Sequence, residues 1–226
     1  TARASPARPV PATDLATDRI RDLRVVVRNN TIESDFGELG KIGGAFATSY
    51  RVPRYKFAYK YPNRLRVEAN LGPLGAVVIY VDNDKAFRTP LGTQRRDTTG
   101  EPGQKQSLMD IGIFATDWLR LDHRAVWLRT EGPLQVFRLE QRLSENKAHE
   151  IVWVNPRTSI TEKRQSIGGD GKLVKEIRYL APREAARGIW VPTRVEIYNQ
   201  FGKRGAVQEV EEIVLNQGIP DDTFTL

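Results

Sequence analysis

The sequence predicts a mainly β protein of the α+β class, in which a single curved antiparallel sheet forms an incomplete β-barrel covered by a helical lid. Three observations lead to this fold class. From residue 45 onward, short runs with strand periodicity follow one another. Polar turns with Gly, Pro, Asn or Asp separate them, which favours antiparallel neighbours. Within this region, residues 107–121 are the one stretch in which apolar residues have helical rather than strand spacing.

The N-terminal part of the chain is predicted to change from a helix to a strand. Asp14 is placed to cap a helix that begins at Leu15, and the same stretch passes into a strand at residues 23–27. Further strands are expected at residues 45–51, 54–61, 64–70, 76–81, 85–89, 124–130, 134–141, 149–154, 158–166, 173–180, 190–199 and 205–215. Turn-forming residues lie at strand ends, in residues 82–84, 132–133, 155–156, 168–171 and 202–203.

Residues 55–69 form the most informative hairpin. A period of two places alternate residues on opposite faces of a strand. One face carries Tyr55, Phe57 and Tyr59 on the first strand, and Leu65 and Val67 on the second. The other face carries Lys56, Lys60, Arg64 and Arg66. We predict that the first set faces a cavity or a core and that the second set faces water.

The helical segment follows a polar loop at residues 94–106. Its stripe comprises Leu108, Ile111, Ala115, Trp118 and Leu119, and Ser107 with Asp110 fits a capping box. A permanent plug with the same geometry is the alternative to a lid. Gly112 and Ala115 are small and leave room, which favours a lid. We therefore expect Trp118→Ala and Ile111→Ala to weaken acyl-chain binding while costing less stability than Val195→Ala or Ile197→Ala.

Composition is that of a water-soluble globular protein. The chain has 226 residues, 39% of them hydrophobic and 28% charged, and no apolar run is long enough to span a bilayer. Residues 1–14 are rich in Pro, Ala and Arg and predict a flexible tether that neither packs nor forms a helix, left after removal of a signal peptide or lipoprotein leader. Residues 15–226 are expected to form one domain.

The net charge of +7 raises nucleic acid as a partner. Lysines and arginines, however, alternate with glutamates along the predicted strands, which is typical of a solvated face. The aromatic residues lie on the opposite face, so they are not interleaved with the positive charge. We predict no nucleic-acid partner.

Catalytic and metal-binding patterns are missing from the sequence. There is no cysteine, and His123 and His149 are interpreted as surface or turn residues without a second ligand at a suitable spacing. Residues 82–93 begin like a calcium loop but have Phe87 and Thr93 where Gly and Glu are needed. No nucleophile elbow or phosphate loop is present. The sequence predicts a non-enzyme with no cofactor and no metal.

Several short motifs together resemble a known family. The run YPNRLRVE (residues 61–68) resembles the proline-containing hairpin of the periplasmic outer-membrane lipoprotein carriers, the LolA/LolB-like lipoprotein-sorting family. VIYVDNDKAF (78–87) resembles their next strand, turn and strand. GIWVPTRVEIYNQ (188–200) and the end of the chain, including residues 221–226, resemble their closing strands and terminal segment. The resemblance covers residues 45–226.

The resemblance implies a lidded half-barrel that shelters lipoprotein acyl chains, or another lipid, in the periplasm. It also implies partner proteins at the inner and outer membranes, a monomer, and a chain exported with or without a lipid anchor. The cavity-lining residues would be Tyr55, Phe57, Tyr59, Leu65, Val67, Ile111, Phe114, Trp118, Leu119, Ile177, Tyr179, Val195 and Ile197. Well-known carriers have a basic residue before the hairpin proline that is tied to the lid. Here that residue is Tyr61, so their closure mechanism does not transfer.

Three alternatives remain open from the sequence. The same architecture serves a lipid-sensing or lipoprotein-sensing regulatory domain, which would pass a signal to a protein partner. It also serves a carrier of another apolar guest, such as a phospholipid or a polyisoprenoid. A structural or adhesive β protein whose interior is simply full is the third.

Overall fold

The computed structural model describes residues 9–71, 74–99, 106–121, 123–142 and 147–226. Its strands all belong to one thirteen-stranded sheet. They are β1 (Asp22–Asn29), β2 (Arg54–Lys60), β3 (Arg64–Leu71), β4 (Leu74–Val81), β5 (Asp84–Thr89), β6 (Gly92–Asp97), β7 (His123–Glu131), β8 (Leu134–Gln141), β9 (His149–Asn155), β10 (Ile160–Ile167), β11 (Leu173–Ala186), β12 (Ile189–Asn199) and β13 (Arg204–Leu215).

The sheet is antiparallel and open. Its strand order is β6-β5-β4-β3-β2-β1-β13-β12-β11-β10-β9-β8-β7, so the chain closes back on β1 through β13 and leaves β6 and β7 as the two edges. Apart from β1 and β13, all strands that are paired in the sheet are consecutive along the chain. β6 and β7 are consecutive along the chain but are not paired. The predicted incomplete barrel with sequential hairpins is confirmed.

Four short α-helices accompany the sheet: α1 (Ala12–Leu15), α2 (Phe36–Gly40), α3 (Gly44–Ser49) and α4 (Thr116–Leu121). Within the described ranges, 3₁₀ turns lie at Leu108–Ile111 and Asp221–Phe224. Each α-helix contributes a residue to a core cluster on the same side of the sheet. We call this side the inner face and the opposite side the outer face.

The register of the opening hairpin defines the inner face. Val25, Phe57, Val67 and Val78 lie side by side on β1, β2, β3 and β4. Phe57 is buried, whereas its sequence neighbour Lys56 is exposed on the outer face. The predicted sidedness of this hairpin is therefore confirmed.

The core on the inner face consists of three clusters. The first comprises Ile20, Leu23, Val25, Val27, Phe57, Tyr59, Leu65, Tyr80, Leu108, Ile111, Ile113, Ala115, Ile189, Val191 and Val210. The second comprises Leu15, Met109, Phe114, Leu119, Phe137, Leu139, Val152 and Val154. The third comprises Leu39, Ala47, Ile160, Ile177, Tyr179, Val195, Ile197 and Ala206.

The C-terminal segment, residues 217–226, lies on the outer face. Ile219 and Phe224 are buried against Ile79 of β4. The Arg66 guanidinium donates hydrogen bonds to the carbonyl oxygens of Thr223, at 2.9 Å, and Thr225, at 3.1 Å. A fourth, smaller apolar cluster therefore covers part of the side that the strand pattern assigns to water.

This segment corrects the prediction that four outer-face cations face only water. Lys56 is exposed, but Lys60 and Arg64 both contact the carboxylate of Asp221, at 2.5 and 2.8 Å. Arg66 is engaged with the segment as described above. The strand periodicity gives the face of each cation, but not the distant segment that covers three of them.

We expect the attachment of residues 217–226 to weaken in acid. Hydrogen bonds from Lys60 and Arg64 hold the pKa of Asp221 below its ordinary value. A carboxyl group with a depressed folded pKa contributes stability above its unfolded pKa, and this contribution is lost as the pH falls through the folded value. NMR shifts of residues 219–225, followed from pH 7 to about pH 2, should report release of the segment near the pKa of Asp221.

Asp221→Asn should release the segment already at pH 7. Asp222→Asn is the matched control, because the Asp222 carboxylate forms no ion pair with any of the described residues. Identical titration curves for wild type and Asp221→Asn would contradict the assignment.

Two predicted elements are wrong. Residues 45–51 are not a strand, because Gly44–Ser49 form α3. Phe46 and Tyr50 satisfy the strand period of two and also the helical i, i+4 spacing, and their rings pack with centroids 5.0 Å apart. Residues 94–97 of the predicted polar loop (94–106) belong to strand β6. Both faces of β6 are exposed, so its sequence has no alternation of apolar and polar residues that would indicate a strand.

Three smaller predictions also fail. The first helix is Ala12–Leu15, so Asp14 lies inside it rather than capping it. Leu15 is buried and Val10 and Ala12 pack beside it, so the expectation of an unpacked, non-helical stretch is wrong for residues 12–14. His123 is buried on β7 rather than at the surface. Residues 1–8 of the predicted tether lie outside the described part.

Candidate functional site

The inner face is covered by residues 107–121, which we call the inner segment. The prediction of a single helix over this segment is wrong. It consists of the 3₁₀ turn Leu108–Ile111, an extended stretch, and α4. Gly112 separates them with a left-handed φ of +82°. The predicted capping box is confirmed, because Ser107 and Asp110 exchange side-chain and backbone hydrogen bonds.

The extended stretch is hydrogen-bonded to the rest of the molecule on both sides. Ile113 bridges to Ile160, and Ala115 bridges to Thr17. The Thr161 amide donates to the Gly112 carbonyl at 2.9 Å. These bonds satisfy backbone groups that would otherwise be buried without partners, which explains why a helix is not needed here.

Apolar side chains of the inner segment fill the space above the sheet. Leu108, Met109, Ile111, Ile113, Phe114, Ala115 and Leu119 are all buried. Ile111 is 3% exposed, which equals the exposure of Val195 and is close to that of Ile197, at 0%. In this conformation the segment packs as a core element, and its movement as a lid stays a prediction.

A charged cluster anchors the inner segment to the sheet. The guanidinium of Arg164, on β10, donates from Nε to Glu150 Oε1 at 2.8 Å and from Nη1 to Asp110 Oδ1 at 3.1 Å. Its side chain is only 14% exposed. Burial alone would lower the pKa of Arg164, but the carboxylates of Glu150 and Asp110 raise it above its ordinary value. The guanidinium of Arg164 therefore remains charged at neutral pH.

Buried tyrosines supply further anchors. The Tyr179 hydroxyl donates to the Met109 carbonyl at 2.8 Å, and the Tyr59 hydroxyl donates to the Asp117 carboxylate. Burial raises the pKa of both hydroxyls, and the negative charge of Asp117 adds to the rise at Tyr59. Both phenols therefore remain protonated donors across the physiological pH range.

The predicted cavity residues fall into three groups. Phe57, Tyr59, Leu65 and Ile111 belong to the first cluster, with Tyr55 and Val67 partly buried against it. Phe114 and Leu119 belong to the second cluster, and Ile177, Tyr179, Val195 and Ile197 belong to the third. The side chain of Trp118 lies outside the described part. All the described members thus share the inner face, although most are packed rather than open.

The open part of the inner face lies toward the β6 edge. Val67 and Val78 are partly buried beside the first cluster, and Phe87 follows on β5 with 37% of its surface exposed. A cavity of about 440 Å³ lies here, lined by Val78, Lys85, Phe87, Gln94, Arg95 and Arg96. Its volume is within the range of small-molecule sites. Tyr55, Val67, Val78 and Phe87 form what we call the inner strip.

Sequence reasoning did not include Val78, Lys85 and Phe87 in the site. A signal was present, because Val78 and Phe87 continue the alternation of the first hairpin onto the next two strands. Lys85 stacks on the Tyr80 ring, with Nζ 5.4 Å from the centroid, and so lies on the same face as the apolar strip.

Two further properties of the described residues bear on the type of site. They contain no group of three His, Asp or Glu side chains placed to hold a metal ion. None of the helices in the described ranges is long and apolar enough to cross a membrane.

Solved structures resemble this fold over almost the whole chain. A LolA superfamily protein from Nitrosomonas europaea matches with a TM-score of 0.61 at 18% identity, over 95% of this chain and 94% of that one. The protein has the LolA-superfamily fold. The family resemblance inferred from short sequence motifs is thus confirmed at the level of the fold.

Two other structures extend the comparison of the LolA-superfamily fold. A DUF1329 family protein from Desulfovibrio piger has a TM-score of 0.59 at 14% identity, covering 94% of this chain and 95% of that one. A domain from Vibrio parahaemolyticus described as an outer membrane lipoprotein-sorting protein has a TM-score of 0.56 at 12% identity, over 91% and 88%.

Sequence comparisons are less informative about this chain. A family model described only as an uncharacterised protein matches residues 122–226, which correspond to β7 onward. No curated protein matches the chain. The fold is therefore established by structural likeness, and the function has to be argued from the site.

Proposed function

We propose that this protein is a periplasmic carrier that shelters the acyl chains of lipoproteins, or of another lipid, on its inner face. The main support for this proposal is the inner strip, which runs without a polar break from the packed first cluster to the exposed ring of Phe87. The names of two structural neighbours, a LolA superfamily protein and a lipoprotein-sorting domain, point in the same direction.

The energetics of lipid transfer require such a surface. Moving an acyl chain of sixteen carbons out of water is worth on the order of 10 kcal/mol, at about 0.8 kcal/mol per CH₂. A lipidated cargo therefore does not cross an aqueous compartment unaided. Since the inner segment fills the centre of the inner face, we infer that an acyl chain enters along the inner strip and displaces the segment as it goes deeper.

The chemistry at the mouth suits an amphiphilic ligand. Val78 and Phe87 offer an apolar floor, and Lys85 and Arg96 place cations at its border. An acyl chain with a polar or anionic head could lie with its chain on the strip and its head at these cations. Catalysis has no part in this proposal.

We expect the purified protein to bind an environment-sensitive apolar dye, which a long-chain fatty acid then displaces. Phe87→Ser and Val78→Ser should each weaken dye affinity by roughly three- to tenfold, since each removes apolar contact area worth about 1 kcal/mol. Leu91→Ser is the control, because Leu91 is on the same hairpin but 99% exposed, outside the lining of the cavity.

Mass spectrometry of organic extracts from the purified protein would then identify the natural ligand. Co-purified diacyl or triacyl species would support lipoprotein or phospholipid carriage, and an isoprenoid would redirect the proposal to another guest. Absence of any saturable binding across dyes and chain lengths would leave a protein with a filled interior and end the carrier proposal.

A further inference from the structure

The outer face has a groove that the carrier function does not use. Two adjoining cavities, of about 580 and 570 Å³, share Val26, Lys56, Glu68 and Glu212 and form one groove. It runs along β1 and β2 from the C-terminal segment, at Asp222 and Thr223, to Pro53 and Arg54. About five residues separate its ends along a strand, which corresponds to about 15 Å.

The groove has an apolar floor and two uncompensated cations. Val26, Ala58 and Val214 form the floor on three adjacent strands. Arg24 and Lys56 are exposed, and neither has an ion pair or side-chain hydrogen bond with any described residue. Asp222 at the rim is similarly unpaired, whereas Glu68 and Glu212 bind Arg66 and Arg54. Glu68 lies directly opposite Lys56 across the strands but is bound to Arg66, so Arg24 and Lys56 at the centre of the groove remain without an ion pair among the described residues.

The neighbouring strip of the outer face already holds the C-terminal segment of this chain, which includes the 3₁₀ turn Asp221–Phe224. Ile219 is buried on the sheet, and two residues later Asp221 is bound by Lys60 and Arg64. Arg66, which contacts the backbone of that segment, also lines the groove. An apolar anchor and a carboxylate at alternate positions are thus the pattern that this outer face binds.

We propose that the groove is a docking site for an extended peptide segment of a partner protein, with acidic residues at alternate positions. Arg24 pairs with Ala58 across the strands, so Lys56 is its diagonal neighbour, roughly 7 Å away. Carboxylates at positions i and i+2 of an extended peptide are also about 7 Å apart and on one side. The two cations therefore match a Glu-X-Glu spacing, and the floor matches an apolar residue beside it.

The test uses a fluorescein-labelled heptapeptide, Gly-Glu-Ser-Glu-Ser-Val-Gly, and a second peptide with both Glu residues replaced by Lys. Fluorescence anisotropy should show saturable binding of the peptide with Glu and no saturable binding of the peptide with Lys. The double variant Arg24→Glu with Lys56→Glu should weaken this binding tenfold or more. Each single variant, Arg24→Glu or Lys56→Glu, should weaken binding threefold or more. Arg124→Glu is the matched control for these single variants, because it makes the same charge change on an exposed residue of β7 and should leave affinity within about twofold.

Thermal unfolding of each variant separates loss of binding from loss of fold, and exposed charges should leave the melting temperature nearly unchanged. Equal losses in Arg124→Glu would show diffuse attraction and overturn the proposal. Retained binding in the double variant, or no saturable binding up to about 1 mM, would do the same. Anionic vesicles that bind wild type but not the double variant, without peptide binding, would assign the cations to a membrane surface instead.

Discussion

Gly112→Ala should destabilise the protein by roughly 2–5 kcal/mol. Gly112 has a φ of +82°, a conformation that costs an L-residue about 1–2 kcal/mol. A Cβ atom there would lie 2.6 Å from Cδ1 and Cγ of the Tyr179 ring, so packing must also yield, at a further cost of about 1–3 kcal/mol. The two penalties add because one concerns the backbone and the other a neighbouring side chain.

Gly218→Ala provides a control with the same backbone conformation. Its φ is also +82°, but a Cβ atom there would meet nothing within 4 Å. We expect only the conformational penalty of about 1–2 kcal/mol. Urea unfolding of both variants measures the difference. Equal losses would mean that Tyr179 moves aside without cost, and the tight packing of the inner segment would then lose its main support.

Strand periodicity predicted much of this fold because it depends on local alternation. In residues 55–69, Tyr55, Phe57 and Tyr59 share one face and Lys56 takes the other, as the register confirms. One buried face specifies the register strongly, since a slip by one residue would expose every apolar side chain. The same argument fails for β6, where both faces are exposed and no alternation is selected.

The inner segment was harder to predict because its apolar stripe suits more than one structure. A 3₁₀ turn, an extended stretch and a short helix bury the same side chains as one helix would. The extended conformation of Ile113 and Ala115 is determined by backbone partners at Ile160 and Thr17, which are about 50 and 100 residues away in sequence. Gly112, whose small size favoured a lid in the sequence, is needed for a tight turn under the ring of Tyr179.

The anchors of the candidate site were not predictable for a similar reason. Arg164, Glu150 and Asp110 come from β10, β9 and the inner segment. Arg164 and Glu150 stand in no recognisable motif, and the capping box that contains Asp110 does not indicate its contact with Arg164. Only the order of strands brings them together. In the sequence each fits a solvated strand or helix position, which is the more common role of a charged residue.

Arg164→Met should destabilise the protein by about 3 kcal/mol at neutral pH, because it leaves a half-desolvated carboxylate without its partner. The Glu150 side chain is 17% exposed, and its Oε2 atom has no hydrogen-bond partner among the described residues. Arg95→Met is the control, since the Arg95–Asp84 pair at the sheet edge is largely exposed and should be worth less than about 1 kcal/mol.

A second substitution separates the charge effect from simple loss of packing. Adding Glu150→Gln should recover part of the loss at pH 7, since the buried charge is removed. A deficit that Glu150→Gln does not relieve would show that the guanidinium acts only as a packing element.

The same variant distinguishes a lid from a plug. Arg164 binds Asp110 of the inner segment directly, so its loss removes one of the bonds that a moving segment must break. If the segment opens to admit an acyl chain, Arg164→Met should take up the apolar dye faster than wild type, in stopped-flow measurements where both proteins remain folded. If the segment is a permanent plug, the variant loses stability while the uptake rate and affinity stay unchanged, and the moving lid is then excluded.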